Sequence, residues 1–328
     1  VTALVTGATG FVGSAVARAL LDSGRTVRVL ARPGGDRRNL DGLDVEVAEG
    51  DLTKLDSIQR AVQGATEVYH VAADYRLWVP EPAAMDRINV EGTEALLRAA
   101  AEAGVERFIY TSSVAALGVP GKGEIGDEET RIEAEDVVGT YKRSKYRAQK
   151  LVERFAAESS FPVIIVNPST PVGPRDIKPT PTGRIIVEAA SGRIPAFVDT
   201  GLNLVHVEDV AEGHLLAAEK GRSGESYILG GENWSLADML REIAAMTGRR
   251  PPRVSLPHGA ILPVAYLAES FSRLTGKEPF VTRDAVKMSR ARMFYRSDKA
   301  QRELGYRARR AVDGLGDAIR WFRANNYL

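Results

Sequence analysis

The chain has 328 residues, enough for two domains or for one large domain with an appended lobe. Hydrophobic residues make up 44% and charged residues 27%, an ordinary globular balance, and no stretch reaches the uninterrupted apolar length of a membrane span. Forty-four Lys and Arg against 43 Asp and Glu leave a net charge of +1, which creates no global field for nucleic acid, and the absence of cysteine excludes disulfides, thiolate metal sites and cysteine nucleophiles.

The opening "VTALVTG" reads as a strand, so no signal peptide is expected within the residues given, and the lack of cysteine suits a cytoplasmic setting. Short β-branched runs then alternate with helical patterns: "ALVT", "AVARALLD", "TVRVLA", "VEVAE", "SIQRAVQ", "EVYHVAA" and "EALLRAAAEAG". That alternation predicts βαβ units feeding a parallel sheet covered by helices on both faces. "VERFIYTSS" and "PVIIVNP" add two apolar strands on either side of a helix carrying "YKRSKYRAQKLVERF". After Asn167 the texture changes to "NPSTPVGPRDIKPTPTG", too rich in Pro and Gly for a regular element. The expectation is an α/β fold, a doubly wound parallel sheet over residues 1–167, with 168–328 forming mainly a smaller substrate lobe and returning some segments to the sheet. In that lobe "LPHGAILPVAYLAESFSRLTG" has an apolar face that could touch a membrane; its length and two prolines favour a helix packed within the lobe. His70, His206, His214 and His258 are scattered singly, so no metal is expected.

"VTGATGFVGSAVARAL" places Gly7, Gly10 and Gly13 between the first strand and the first helix. Glycines there give a tight turn, close approach to a pyrophosphate and close helix-to-strand packing, with the helix N-terminus toward the anion. With Thr9, Phe11 and Val12 between them, they predict a dinucleotide site of the Rossmann kind. At the end of the second strand, where NAD sites place a carboxylate, this chain has Arg32, followed by Arg37 and Arg38. A guanidinium can hold a 2′-phosphate bidentately, which favours NADP over the alternative, NAD. Asp51 and Leu52 follow the third strand and are expected to flank the adenine.

Tyr141 and Lys145 stand four apart in a helical pattern, so phenol and ammonium share a face. A nearby cation lowers a phenol's pKa from about 10, preparing it as a general acid or base. At the end of the preceding strand Ser112 and Ser113 reach the sheet edge where ligands bind, and a hydroxyl there can donate to a carbonyl oxygen gaining charge.

"TGATGFVG", "HVAA", "INVEGT", "TSSVA", "YKRSK", "NPS" and "HVEDVA" occur in the order and spacing of the extended short-chain dehydrogenase/reductases, the NAD-dependent epimerase/dehydratase family, which the chain resembles over its full length. "HVAADYRLW", "NPSTPVGPRDIKPTPTGRIIV" and "YILGGEN" are similar to the hopanoid-associated sugar epimerase group and its dihydroflavonol 4-reductase-like relatives. The resemblance implies Tyr141 as acid/base, Lys145 as its tuner and ribose ligand, and Ser113 as donor to the substrate oxygen. It also implies Ala72 and Ala73 against the cofactor, Pro168 and Ser169 beside the nicotinamide, and Asn89 as a structural hydrogen-bonder. His206 stays outside the mechanism. Family members commonly pair through helices around residues 83–103 and 137–157, so a homodimer is implied. Where sugar-nucleotide epimerases carry an arginine shortly before the "HV" strand, to clamp a pyrophosphate, this chain has Leu202.

These readings converge on an NADPH-dependent reductase of a small carbonyl or sugar-like substrate, with Tyr75, Trp78, Ser113 and Asn203 as substrate contacts. The alternatives are a nucleotide-sugar 4-epimerase or dehydratase using bound NAD, and a dinucleotide sensor without turnover. No nucleic-acid partner and no membrane span are expected.

Overall fold

In the computed structural model, which describes residues 1–76, 79, 81–121, 123–275 and 282–328, the alternating pattern becomes a parallel sheet. The expectation for Trp78 lies outside the described residues. Through Pro168 the chain runs β1 (Thr2–Thr6), α1 (Phe11–Asp22), β2 (Thr26–Ala31), β3 (Val45–Glu49), α2 (Leu55–Val62), β4 (Glu67–His70), α3 (Pro82–Asp86), α4 (Gly92–Glu102), β5 (Arg107–Thr111), α5 (Thr140–Glu158) and β6 (Val163–Pro168). A π-helical turn, Arg87–Glu91, joins α3 to α4.

The remainder runs β7 (Thr170–Val172), α6 (Pro181–Ala190), β8 (Ala196–Val198), β9 (Gly201–His206), α7 (Val207–Lys220), β10 (Ser226–Leu229), β11 (Glu232–Ser235), α8 (Leu236–Thr247), β12 (Val254–Leu256), α9 (His258–Thr275), α10 (Arg283–Met288), β13 (Arg292–Met293), α11 (Asp298–Leu304) and α12 (Ala311–Ala324). Among the described residues the main sheet has seven strands in the order β10-β6-β5-β4-β1-β2-β3, with every pairing parallel. The chain winds outward from β1 to β3, then returns to build the other half from β4, so the order reverses beside β1. Loops leaving β1 and β4 part in opposite directions there, which opens a crevice at the carboxyl edge.

Apolar cores on both faces explain why the strands carry almost no polar alternation. On one face Val16 and Leu20 of α1 pack with Val210 and Leu215 of α7 and Leu304 of α11. On the other, Ile58 and Val62 of α2, Leu96 and Leu97 of α4 and Val152 of α5 cover Leu4, Val68, Phe108 and Ile165. The lobe has its own core, in which Ile186, Leu240, Ile243, Leu315, Ile319 and Phe322 surround the small sheet of β7, β9, β11 and β13. Among the described residues no helix is long and apolar enough to cross a membrane.

Three histidines hold this frame rather than any chemistry. The His70 ring is bonded to the Thr6 hydroxyl at 2.7 Å and the Thr93 hydroxyl at 2.8 Å, and burial, helped by Lys145, takes its pKa down to about 3. The His214 ring meets the Thr111 hydroxyl at 2.8 Å and the Val210 carbonyl at 2.7 Å, and burial takes it down to about 4 despite that carbonyl. His206 caps α7, accepting from the Glu208 amide at 3.1 Å. Because His70 and His214 protonate more readily unfolded than folded, acid destabilises the native state as pH falls below about 6.5. Buried Asp176, raised to about 6, binds its proton more tightly when folded and offsets one of the two below pH 6. Unfolding free energy should therefore drop by about 1.4 kcal/mol for each pH unit between roughly pH 6 and 5. Urea titrations across that range measure it; a flat profile would leave only one imidazole buried uncharged, balanced by Asp176, and stability that rises toward acid would mean that neither is.

Candidate active site

The glycine loop sits where β1 hands the chain to α1. Gly7 has φ +76°, a conformation that L side chains resist, and a Cβ there would lie 2.6 Å from the Ala72 amide. At Gly13 a Cβ would lie 2.2 Å from the Gly7 carbonyl oxygen, so the helix approaches the loop as closely as backbone allows. Gly10 caps α1 without a side-chain hydrogen bond, and the first turn contains no acid. Its leading amides are thus left for an anion, as expected of a pyrophosphate cradle. Phe11 and Val12 pack against the core below, and Thr9 offers its carbonyl to the Asn39 amide at 3.2 Å.

The strand ends bring the other expected residues to the same edge. Arg32 follows β2, Asp51 and Leu52 follow β3, Ala72 and Ala73 follow β4, Ser113 follows β5, and Pro168 and Ser169 close β6. The Ser169 hydroxyl and the Asn39 side-chain oxygen are buried and, among the described residues, have no hydrogen-bond partner. A dinucleotide fits this ground: glycines without Cβ atoms, free helix amides and buried polar atoms that a polar ligand would satisfy. Asp51 lies below the usual carboxylate range. Partial burial would raise it, but hydrogen bonds from the Thr53 amide and hydroxyl and the Arg32 charge outweigh that.

The arginines behave less uniformly than the sequence suggests. Arg38 is held by Asp36 in a two-pronged ion pair, at 3.0 and 2.7 Å, and Arg37 pairs with Glu49 at 2.5 Å. Arg32 is exposed and makes no ion pair among the described residues. Arg38, expected at the cofactor, is thus paired through its guanidinium with a carboxylate two residues away. A cavity of about 320 Å³ opens beside Asn39, lined also by Arg38, Arg175, Ile177, Trp321 and Tyr327.

Gly139, at φ +91°, turns the chain into α5 so that Tyr141 and Lys145 occupy its first two turns. Lys145 is buried, and its Nζ donates to the Thr111 carbonyl at 2.7 Å and the Tyr110 hydroxyl at 3.2 Å, while lying 4.8 Å from the Tyr110 ring centre. Burial pulls its pKa down to about 7. Tyr141 moves the other way: burial pushes its phenol up to about 12, against a hydrogen-bonding contribution from the Ser113 hydroxyl. The expected tuning of Tyr141 by a bare cation is corrected accordingly, since the ammonium points into the strand end and desolvation governs the phenol.

Ser113 caps a short turn, accepting from the Ala115 amide at 3.1 Å. Ser112 faces the interior and donates to Gln149 at 2.6 Å, which separates the two serines into one structural and one available hydroxyl. Asn167 donates to the Ser113 carbonyl at 3.0 Å and to Gln149 at 2.9 Å, and Gln149 donates to Glu153 at 2.9 Å. This buried array fixes the Ser113 backbone. Tyr110, Gln149 and Asn167 escaped the sequence reading, although Gln149 follows Lys145 by four and so shares its helix face.

Asn203 is also corrected. It is 1% exposed, its amide donates to Gly231, Asn233 and Tyr295, and its oxygen accepts from the Gly231 amide, so nothing remains for a substrate. Tyr75 is 40% exposed with its hydroxyl 3.5 Å from the Lys178 carbonyl. Asn89 is buried and bridges Asp74 and Ser144, as a structural hydrogen-bonder should. Leu202 lies opposite Trp234 and packs against the lobe's core. Replacing Gly13 by Ala drives a methyl into the Gly7 carbonyl and should weaken pyridine-dinucleotide binding by roughly tenfold or more. Fluorescence titration reads the change, with a thermal melt to register any loss of fold; unaltered affinity would remove the loop from the site.

The profile of the family described as "NAD dependent epimerase/dehydratase family" matches residues 3–230. A putative dihydroflavonol 4-reductase of Synechocystis is 43% identical, over 99% of this chain and 95% of that protein. The crystal structure of gox2253 is 54% identical and superposes with a TM-score of 0.90, covering 100% of this chain and 99% of that one. A nucleoside-diphosphate-sugar epimerase from Pseudomonas aeruginosa, PA4631, is 28% identical with a TM-score of 0.81, over 100% and 99% of the two chains. With a glycine loop, a strand-end serine and a Tyr-x-x-x-Lys helix on one sheet edge, the chain belongs to the NAD dependent epimerase/dehydratase family, as an NAD(P)-dependent oxidoreductase or epimerase of the extended short-chain dehydrogenase/reductase type.

Proposed function

We propose that the chain reduces an aldehyde or ketone at the expense of NADPH. The observation that carries this reading is Tyr141 beside Ser113, a phenol held up at about 12 and therefore protonated at neutral pH. A phenol that holds its proton beside the strand-end hydroxyl can donate to a carbonyl oxygen as charge forms on it. The bound nicotinamide supplies the hydrogen and electron pair for the carbonyl carbon. Ser113 donates to the oxygen as charge grows on it, Tyr141 delivers the proton, and Lys145, with a pKa of about 7, carries positive charge beneath the pair for part of the population. In this reading residues 1–167 hold the cofactor and most of 168–328 receives the substrate.

NADPH is favoured over NADH by Arg32, which follows β2 without an ion-pair partner among the described residues. Leu202 supports a substrate without a pyrophosphate, because an apolar side chain turned into a core neutralises no charge. The kinship with a nucleoside-diphosphate-sugar epimerase favours one rival, in which the same serine and tyrosine serve transient oxidation and return. That rival predicts copurifying NAD and turnover without net loss of NADPH.

Tyr141→Phe should lower kcat for carbonyl reduction by roughly a hundredfold or more with NADPH affinity retained. Steady-state assays over a panel of carbonyl compounds measure it, and an unchanged kcat would leave the phenol without a part in proton transfer. Arg32→Asp should weaken NADPH by roughly tenfold or more while sparing NADH; equal effects on both cofactors would place the 2′-phosphate elsewhere.

A further inference from the structure

Helix α9 turns large side chains outward. Among its described residues those fully buried are small, Ala265, Ala268 and Ser272, with Ile261 and Leu262 half-buried, while Tyr266, Leu267 and Phe271 are 50%, 73% and 66% exposed. With Ala260, Pro263 and Ser270 they form a solvent-facing stripe at three- and four-residue spacing, and none of the helix's exposed described side chains is charged. A helix that merely covers a lobe puts its large apolar residues inward and its charges outward, so the stripe calls for something to cover it.

The surrounding charge says what. Residues 249–296 hold ten Lys and Arg against three Asp and Glu, whereas the rest of the chain holds 34 against 40. Arg253, before β12, and Lys287 and Arg290, on and just after α10, are exposed and make no ion pair among the described residues. The two segments are joined to α9: His258 bonds the Ser289 carbonyl at 2.9 Å, and Arg283 pairs with Glu269 at 2.7 Å with its guanidinium 4.8 Å from the Tyr266 ring centre. A second copy presenting the same cationic face would be repelled, while an anionic lipid surface matches both the charge and the apolar stripe.

We infer that α9 and its basic flanks dock this protein, without insertion across the bilayer, onto membranes containing anionic lipid. The docking face adjoins the catalytic crevice. Asp284 of α10 stands against Gly139 at the start of α5, and the Lys142 Nζ lies 3.7 Å from Met293 of β13. An enzyme seated this way meets amphiphilic carbonyl compounds where they partition.

The test is co-sedimentation of the full chain with vesicles of equal parts phosphatidylglycerol and phosphatidylcholine, against phosphatidylcholine alone. Binding should favour the anionic vesicles and weaken as salt is raised. Leu267→Asp should reduce it by roughly tenfold or more, and the pair Lys287→Glu with Arg290→Glu should do the same through charge alone. Thermal melts report folding, and if Leu267→Asp unfolds, the charge pair carries the result. No preference for anionic vesicles overturns the proposal, as does binding that ignores these changes. Light scattering that shows Leu267→Asp dissociating a dimer would overturn it too, assigning the stripe to self-association. Vesicle binding requires no turnover, so its failure and that of the reductase reading are separately visible.

Discussion

A single buried ammonium joins the two elements on which the site depends. Stripping a lysine of water costs on the order of several kcal/mol unless polar groups replace the solvent, and here the Thr111 carbonyl and the Tyr110 hydroxyl do so. Those two groups lie at the end of β5, and Lys145 lies one turn after Tyr141, so the contact docks the start of α5 onto the strand that ends in Ser113. Because the ammonium turns toward β5, desolvation and not a bare cation sets the proton affinity of Tyr141. The result is a phenol that keeps its proton beside the Ser113 hydroxyl.

The rest of the site follows from a parallel sheet with both faces covered. Parallel strands deliver all their carboxyl ends to one edge, and the reversal of order beside β1 parts the loops there. Apolar cores on either face hold α1 and α5 at fixed heights above that edge. Close approach at Gly7 and Gly13 and the Asn167–Gln149 bonds behind Ser113 then settle the last ångström, since neither contact tolerates displacement.

The lobe departs from this economy. Its own core of leucine, isoleucine and phenylalanine includes no described residue of α9, whose fully buried described residues are Ala265, Ala268 and Ser272. That arrangement sets the doubly wound body apart from a helix whose large described side chains face outward. The near-zero net charge of the whole chain conceals the basic segment, because a sum over 328 residues cancels what space keeps apart.

Much of this was legible in the residues alone. Period-two and period-3.6 patterns announced the α/β alternation, GxxGxxG between strand and helix announced the loop, and the four-residue spacing put Tyr141 and Lys145 on one face, because each rests on local geometry that the backbone enforces. Which way a long side chain turns is not local. Lys145 reached for Tyr110 and Thr111, Arg38 for Asp36, and Asn203 for Gly231 and Tyr295, each choosing the partner that best compensated its lost water. Only tertiary packing, which decides what each polar group must exchange for solvent, could tell the available serine from the buried one and turn the large residues of α9 outward.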